Sequence, residues 1–295
     1  EYVSSATLPT QMAEDLVKKG MYVDVICGWP YEYSNEKQVE KNENYKGINI
    51  KRLRYSKFNN KSKFGRICNF FSLFLMFIFK MPKMLKYNHI LVYSNPPILP
   101  LIPDILHRVF KKQYSFVVYD IAPDNALKTG TTRPGSLIDR LMKYINKHVY
   151  SNAENVIVLG TEMKNYLLQN KISSKPDRIH VIPNWYTESE DDKVHNIEFR
   201  DLRNQYDKIL LYSGNMGQLQ DMDTIIDFLK LNKEDNKTLT ILCGHGKKYQ
   251  KVKNSIEFNH ISNVKIYKFL TGTDYTDVLK IADACFASLV KEGVG

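Results

Sequence analysis

Several groups of residues in this 295-residue sequence are of types and spacings that could do chemistry. Ser213-Gly214-Asn215-Met216-Gly217 follows the apolar run Ile209–Tyr212 and precedes Met222, Ile225, Ile226 and Leu229, which recur at helical spacing. A strand, a glycine turn and a helix start gather unpaired backbone N–H groups and a positive helix end at one point, an arrangement suited to phosphate. Gln220 and Asp221 close that loop. Gly244 and Gly246 follow a second apolar run, Leu239–Cys243, with Lys247 as the adjacent cation. A plain strand-to-helix turn uses glycines too, so the spacing alone leaves both readings open. Asp120 and Asp124 follow the run Ser115–Tyr119, where α/β proteins place ligands. A carboxylate there can orient a hydroxyl, take up its proton or steady developing positive charge. Asp124, after Pro123, reads equally as a helix cap, so Asp120 is favoured for chemistry. His148 and His180 sit in helix and strand patterns and read as structural.

The elements that must position these groups alternate along the chain. Helical patterns over 8–19, 67–79, 100–109, 136–151, 162–169, 222–231 and 275–281 interleave with strand patterns at 22–27, 48–53, 89–93, 115–119, 156–159, 179–182, 208–213, 239–243, 264–267 and 284–288. A basic helix through Lys253 follows Gly246. In the helix over 136–151, Leu137, Leu141, Ile145 and Val149 share one face. Short connections between alternating strands and helices predict doubly wound parallel sheets. The acidic, irregular stretch 187–206 reads as a linker. It divides an N-terminal domain, 1–186, from a C-terminal domain, 207–295. The chain begins without a methionine and without the strand that normally precedes the first helix of such a domain. It ends just after a strand, in Glu292-Gly293-Val294-Gly295, so the expectation is truncation at both ends, with a lost leader left open.

Composition narrows the class. Apolar residues make up 43% and aromatics 12%, which is globular. Cys27, Cys68, Cys243 and Cys285 have no metal-ligand spacing, three of them lie in strand patterns, and a reducing, cytoplasmic compartment follows. The net charge of +10 is uneven: residues 1–205 carry 30 basic against 21 acidic residues, and 206–295 carry 12 against 11. Residues 51–103 hold ten basic residues and no acid, flanking Ile67–Phe79, which is apolar apart from Asn69 and Ser72. Thirteen residues are too few to span a bilayer, which takes about 20. A helix buried against a sheet and an interfacial segment meeting anionic lipid both fit this pattern, and the second is preferred. Nucleic acid is disfavoured, because the aromatics form one block rather than interleaving with the cations.

In this order, eight segments resemble the family 4 glycosyltransferases and their GT-B fold of two Rossmann-like domains. They are TQMAEDLVKKGMYVDVICGWP, YSNPPIL, YDIAPDNALKTG, NVIVLGTEMKNYLL, RIHVIPNW, LYSGNMGQLQDMDT, LTILCGHG and ADACFASLVKEGVG. The sequence looks most like the fucosaminyltransferase-like branch of bacterial surface-polysaccharide enzymes, with the second domain incomplete. The resemblance implies a retaining glycosyltransferase, moving a sugar from a UDP-linked donor to a lipid-linked saccharide in capsule, O-antigen or exopolysaccharide synthesis. It implies no metal and no cofactor beyond the donor. The partners are a nucleotide sugar, a lipid-linked acceptor and, through 51–86, an anionic membrane surface. That places the protein in the cytoplasm, peripheral on the inner face of the plasma membrane.

Gly214, Asn215 and Gly217 match the family's diphosphate loop. Gln220 and Asp221 stand where many members have lysine and glycine, so Lys247 becomes the candidate cation. Gly244 and Gly246 follow a strand end, as a donor site or a plain strand–helix turn requires, and Leu270 and Thr271 match the loop that often holds the base, where a simple connection reads equally well. Glu292 matches the first glutamate of a Glu-x7-Glu signature, with Gly293 and Gly295 offering amides to phosphate. Asp120 and Glu292 are the catalytic candidates. The second glutamate would lie beyond Gly295, so residues 1–295 alone are expected to show no turnover. Two other readings stay open: a non-catalytic GT-B binding or anchoring subunit, which Gln220 would suit, and a nucleotide-sugar epimerase, for which the sequence shows no acid/base set.

Overall fold

The computed structural model describes residues 6–31, 39–59, 62–124, 127, 132–173, 175–185, 191–268 and 270–291. The chain divides into two compact units, one formed by residues up to 123 with 132–185, the other by 124–131 with 186–294.

The first unit runs α1 (Thr7–Lys18), β1 (Asp24–Gly28), β2 (Asn42–Tyr45), β3 (Ile48–Leu53), α2 (Lys63–Ile78), α3 (Met81–Met84), β4 (His89–Tyr93), α4 (Leu101–Phe110), β5 (Gln113–Val118), α5 (Leu137–Asn152), β6 (Asn155–Val158), α6 (Thr161–Gln169) and β7 (Ile179–Val181). Strands β4-β5-β6-β7 form a parallel sheet in chain order. Its core holds Phe116, Val118, Val156 and Val158 against Ile145 and Val149 of α5 and Leu167 of α6. The face expected on α5 is only half used, because Leu137 and Leu141 are exposed where the helix begins, while Ile145 and Val149 are buried.

A second sheet has the order β1-β3-β2, with β1 parallel and β2 antiparallel to β3. Strand β2 has no apolar alternation to announce it. Its hairpin closes through Lys46 and Gly47, at φ 49° and 83°, the left-handed pair a tight hairpin turn requires.

Helix α2 begins four residues before its apolar run, because Ser62 Oγ accepts the Gly65 N–H at 2.9 Å and caps it. Leu73, Phe74 and Phe77 face inward onto Leu53, Ile102 and Leu106. The two polar residues within the run Ile67–Phe79 hold the preceding loop: Asn69 Oδ1 accepts the Phe58 N–H at 2.9 Å, and Ser72 Oγ the Ser56 N–H at 3.0 Å. The opposite face, with Phe64, Ile67, Phe70 and Phe71, is exposed, and Phe79 just beyond the helix is exposed as well. Among the described residues no helix is long and apolar enough to cross a membrane.

Asp104 of α4 is fully buried, a costly place for a carboxylate unless it is bonded. It accepts the Asn152 amide at 2.8 Å and pairs with Arg108 at 2.5 Å, joining α4 to α5. Asp104→Ala takes the carboxylate away from a half-buried amide and a partly exposed guanidinium. We expect it to lower stability by about 3 kcal/mol, read from chemical denaturation of the whole chain.

The second unit runs α7 (Ile197–Gln205), β8 (Lys208–Asn215), α8 (Met222–Leu231), β9 (Thr238–His245), α9 (Tyr249–Phe258), β10 (Val264–Tyr267), α10 (Gly272–Ile281) and β11 (Ala284–Cys285), in one parallel sheet of order β10-β9-β8-β11. Alternate residues of β8 and β9 face opposite layers. Ile209, Leu211, Leu239 and Ile241 meet Phe199 and Val278 of α7 and α10, while Tyr212 and Leu242 meet Met222, Ile225 and Val252 of α8 and α9. This is a doubly wound sheet.

Three expectations change here. The stretch 187–206 is not irregular throughout: Asn196 caps α7, and Phe199 and Leu202, three apart, are buried in the C-terminal core. Strand β9 runs through Gly244 to His245 rather than turning at the first glycine. Cys285 is exposed on its short strand, while Cys243 is buried and its thiol is pushed up to about 12.

Candidate functional site

The glycine loop at the carboxyl end of β8 is shaped by close backbone approach. Gly214 lies in register with Gly244, and Asn215 with His245. A Cβ on Gly244 would stand 1.9 Å from the Gly214 carbonyl oxygen, so only glycine fits between the strands. Gly246 has φ +140°, and a Cβ there would meet the Met216 carbonyl at 2.6 Å. The Met216 N–H donates to the His245 carbonyl at 2.7 Å, and the Lys248 N–H to the Met216 carbonyl at 2.8 Å. Gly214 differs: a Cβ there would find only Tyr212, at 3.7 Å, with open space beyond.

Gln220 folds back over this loop. Its Oε1 accepts the Gly217 N–H at 3.0 Å, so that donor is already occupied. Asp221 caps α8, accepting the Thr224 N–H at 3.2 Å and the Thr224 hydroxyl at 2.6 Å. Those bonds hold its carboxyl below the ordinary carboxylate range. The positive end of α8 thus already carries a negative charge. Ser288 Oγ donates to the Asp221 carbonyl at 2.7 Å, and the Val290 N–H to Leu219 at 2.8 Å, so the segment after β11 lines the same loop.

Lys247 is exposed, and no described side chain pairs with it. Its neighbour Lys248 is the cation tied to the loop, donating from Nζ to the Gln220 carbonyl at 2.7 Å. The sequence points to Lys247, the first of two adjacent lysines. The second is fixed because its own N–H closes on Met216 at the start of α9, a bond the sequence does not display. Leu270 packs partly against the core beside Phe199, and Thr271 is exposed immediately before α10. Glu292, Gly293 and Gly295 lie outside the described residues.

Asp120 lies exposed just past the carboxyl end of β5. The buried Ser94 hydroxyl, at the end of β4, accepts the N–H groups of Tyr119 at 3.0 Å and Asp120 at 3.2 Å and fixes the turn that presents the carboxylate. Asp120, Ser94 and Asn146 line one small pocket, and the Asn146 amide donates to the Ala122 carbonyl. Ser94 and Asn146 carried no sequence signal. Asp124 is among the described residues, while positions 125, 126 and 128–131 lie outside them.

Residues 194–295 match the family model described as Glycosyl transferases group 1. WbjE of Pseudomonas aeruginosa, named a probable glycosyltransferase, is 24% identical over 177 residues, which is 57% of this chain and 42% of that relative's length. Among solved structures, Anabaena Alr3699/HepE in complex with UDP and glucose superposes with a TM-score of 0.63 at 12% identity, covering 97% of this chain and 70% of that one. WaaG, a glycosyltransferase involved in lipopolysaccharide biosynthesis, superposes at 0.61 with 13% identity, covering 97% and 71%. Parallel sheets wound on both sides by helices and likenesses of this extent show the fold to be that of the GT-B glycosyltransferases, with a glycosyl transferases group 1 match over its C-terminal third.

Proposed function

We propose that this chain belongs to a retaining, family 4-type glycosyltransferase of bacterial polysaccharide synthesis. It takes its sugar from a nucleotide donor, with UDP as the carrier. The observation that carries this reading is the built glycine edge at β8 and β9: two strands locked by Gly244 and Gly246, with open space left only in front of Gly214. Complexed with UDP, a protein of the same fold supports the choice of ligand. On this reading the diphosphate lies along Gly214, Asn215 and Gly217, displaces the Gln220 amide from the Gly217 N–H, and draws its countercharge from Lys248 and Lys247. Gly244 and Gly246 shape that edge, Leu270 and Thr271 flank the base, and Glu292 with Gly293 and Gly295 contacts the donor sugar and phosphates. Asp120, in the N-terminal unit, orients the acceptor hydroxyl and takes up its proton; the acceptor oxygen bonds the anomeric carbon as that carbon's bond to the diphosphate breaks and UDP leaves. No metal or separate cofactor enters the scheme.

The acceptor is a lipid-linked saccharide, presented to a peripheral protein at the inner face of the plasma membrane. The exposed aromatic face of α2, in a stretch with ten cations and no acid, supports that placement. A thermal-shift titration with UDP and UDP-sugars tests the donor half, since a ligand held only by the native state raises its melting temperature. A rise of several degrees at millimolar UDP is expected; no shift with any nucleotide would remove the reading.

A further inference from the structure

A cavity of about 390 Å³ opens on one face of the β1-β3-β2 sheet, closed on its other side by α3 and the turn that follows. Strand alternation puts Asn49 and Lys51 of β3 on that face, with Lys51 in register with Ile26 and Asn42. Helix α3 and its flanks bring Lys80, Lys83 and Lys86 to the same cavity.

Two carboxylates also line it, and both are already matched. Asp24 pairs with Lys86 at 3.3 Å, accepts the Asn49 amide at 2.9 Å and bonds the Tyr87 hydroxyl. Glu43 pairs with Arg52 at 2.6 Å. Among the described residues, no carboxylate pairs with Lys51, Lys80 or Lys83. Three ammonium groups therefore line one concavity with no carboxylate among the described residues paired to them. Burial, and then the charges of Lys80, Lys83 and Lys41, lower the pKa of Lys51, which is what like charges facing each other produce. Lysines spread for solubility would stand apart on convex surface. Here the sheet holds one of them half-buried against two others, which costs the protein stability unless an anion offsets it.

We propose that this cavity binds a phosphate-bearing anion through Lys51, Lys80 and Lys83. Its volume falls within the range of small-ligand sites and admits a diphosphate with its waters. The chemistry is shared by a free phosphate ester and by a phospholipid headgroup. The site stands on the cavity alone, and does not require the aromatic face of α2 to meet a membrane.

The test uses the whole chain, inorganic pyrophosphate, and vesicles of phosphatidylcholine with and without phosphatidylglycerol. Lys51→Gln/Lys83→Gln is expected to bind whichever probe the site uses about tenfold or more weakly, with a shallower salt dependence, since each phosphate contact contributes to the salt slope. Pyrophosphate sensitivity assigns the free ester; sensitivity only to the phosphatidylglycerol vesicles assigns the headgroup. Without ligand, the variant should melt at the same temperature as the parent or higher, because repulsion has been removed, and this separates lost binding from lost folding. Phe64→Ser/Phe71→Ser should leave pyrophosphate affinity unchanged, so failure of the membrane reading and failure of this one are distinguishable. Equal binding of both probes by parent and lysine variant, or no binding of either probe by the parent, would overturn the proposal.

Discussion

Gly244→Ala is expected to unfold the C-terminal unit at temperatures where the parent is folded. The added methyl carbon would stand 1.9 Å from the Gly214 carbonyl oxygen, and that atom belongs to a strand backbone, not to a side chain that can swing away. Relief requires β8 and β9 to part at Gly214–Gly244 and Asn215–His245, the pairs that hold the loop. Overpacking of a core commonly costs about 1–3 kcal/mol, and a clash between backbones lies at or above the top of that range. For a unit of this size the melting temperature should fall by at least about 10 °C. Gly214→Ala provides the contrast: the same methyl group on the facing strand meets nothing closer than 3.7 Å, and should change melting by no more than about 2 °C. Calorimetry on the pair separates a glycine that permits the fold from one that leaves room for a ligand.

The second large effect concerns α2. Phe64, Phe71 and Phe79 are 74%, 55% and 71% exposed, the first two along the outer side of the helix and the third just beyond its end. Each exposes apolar surface to water in the free protein, so Phe64→Ser/Phe71→Ser/Phe79→Ser should cost no stability. If this face enters the headgroup region, partial burial of three phenylalanines is worth about 3 kcal/mol, and the triple variant should bind anionic vesicles about 100-fold more weakly. Vesicle sedimentation reads this directly. Undiminished binding by a variant that melts like the parent would remove the membrane from the account.

Much of the fold was legible because parallel strands and amphipathic helices have different periods. Ile48–Leu53, His89–Tyr93, Met222–Leu231 and Val264–Tyr267 emerge with the bounds their apolar patterns indicate. The illegible parts have local causes. Strand β2 is polar and is held by pairing with β3, so its own residues do not announce it. Helix α7 carries only two buried apolar residues amid charged ones, and reads as a linker until the sheet beneath it is known. Leu137 and Leu141 show the reverse case: a helix-period stripe marks what could be buried, whereas the neighbouring elements decide what is.

The candidate site was legible in its glycines and not in its polar contacts. Glycine spacing locates Gly214–Gly217 and Gly244–Gly246. Which glycine resists substitution depends on a carbonyl from another strand. Gln220 reads from sequence as a missing cation, and the structure gives it a positive role, closing the Gly217 N–H until something displaces it. Asp221 reads as a departure from a glycine, and proves to be the cap that starts α8. Lys248 and Ser288 reach the loop through backbone carbonyls, which no side-chain motif encodes.

The central claim is that a nucleotide diphosphate lies against the open edge of β8. It is tested most directly by calorimetric titration of UDP into the parent and Gly214→Val. Valine suits a strand, and its Cβ would meet nothing closer than Tyr212 at 3.7 Å, so the variant should melt within about 2 °C of the parent. Its side chain fills the ground in front of the loop, and UDP affinity should fall about tenfold or more, as expected when a snug contact is blocked. The parent binding UDP and the stable variant losing it is the predicted result. Equal affinity in the two proteins, or no UDP binding by the parent, would contradict it.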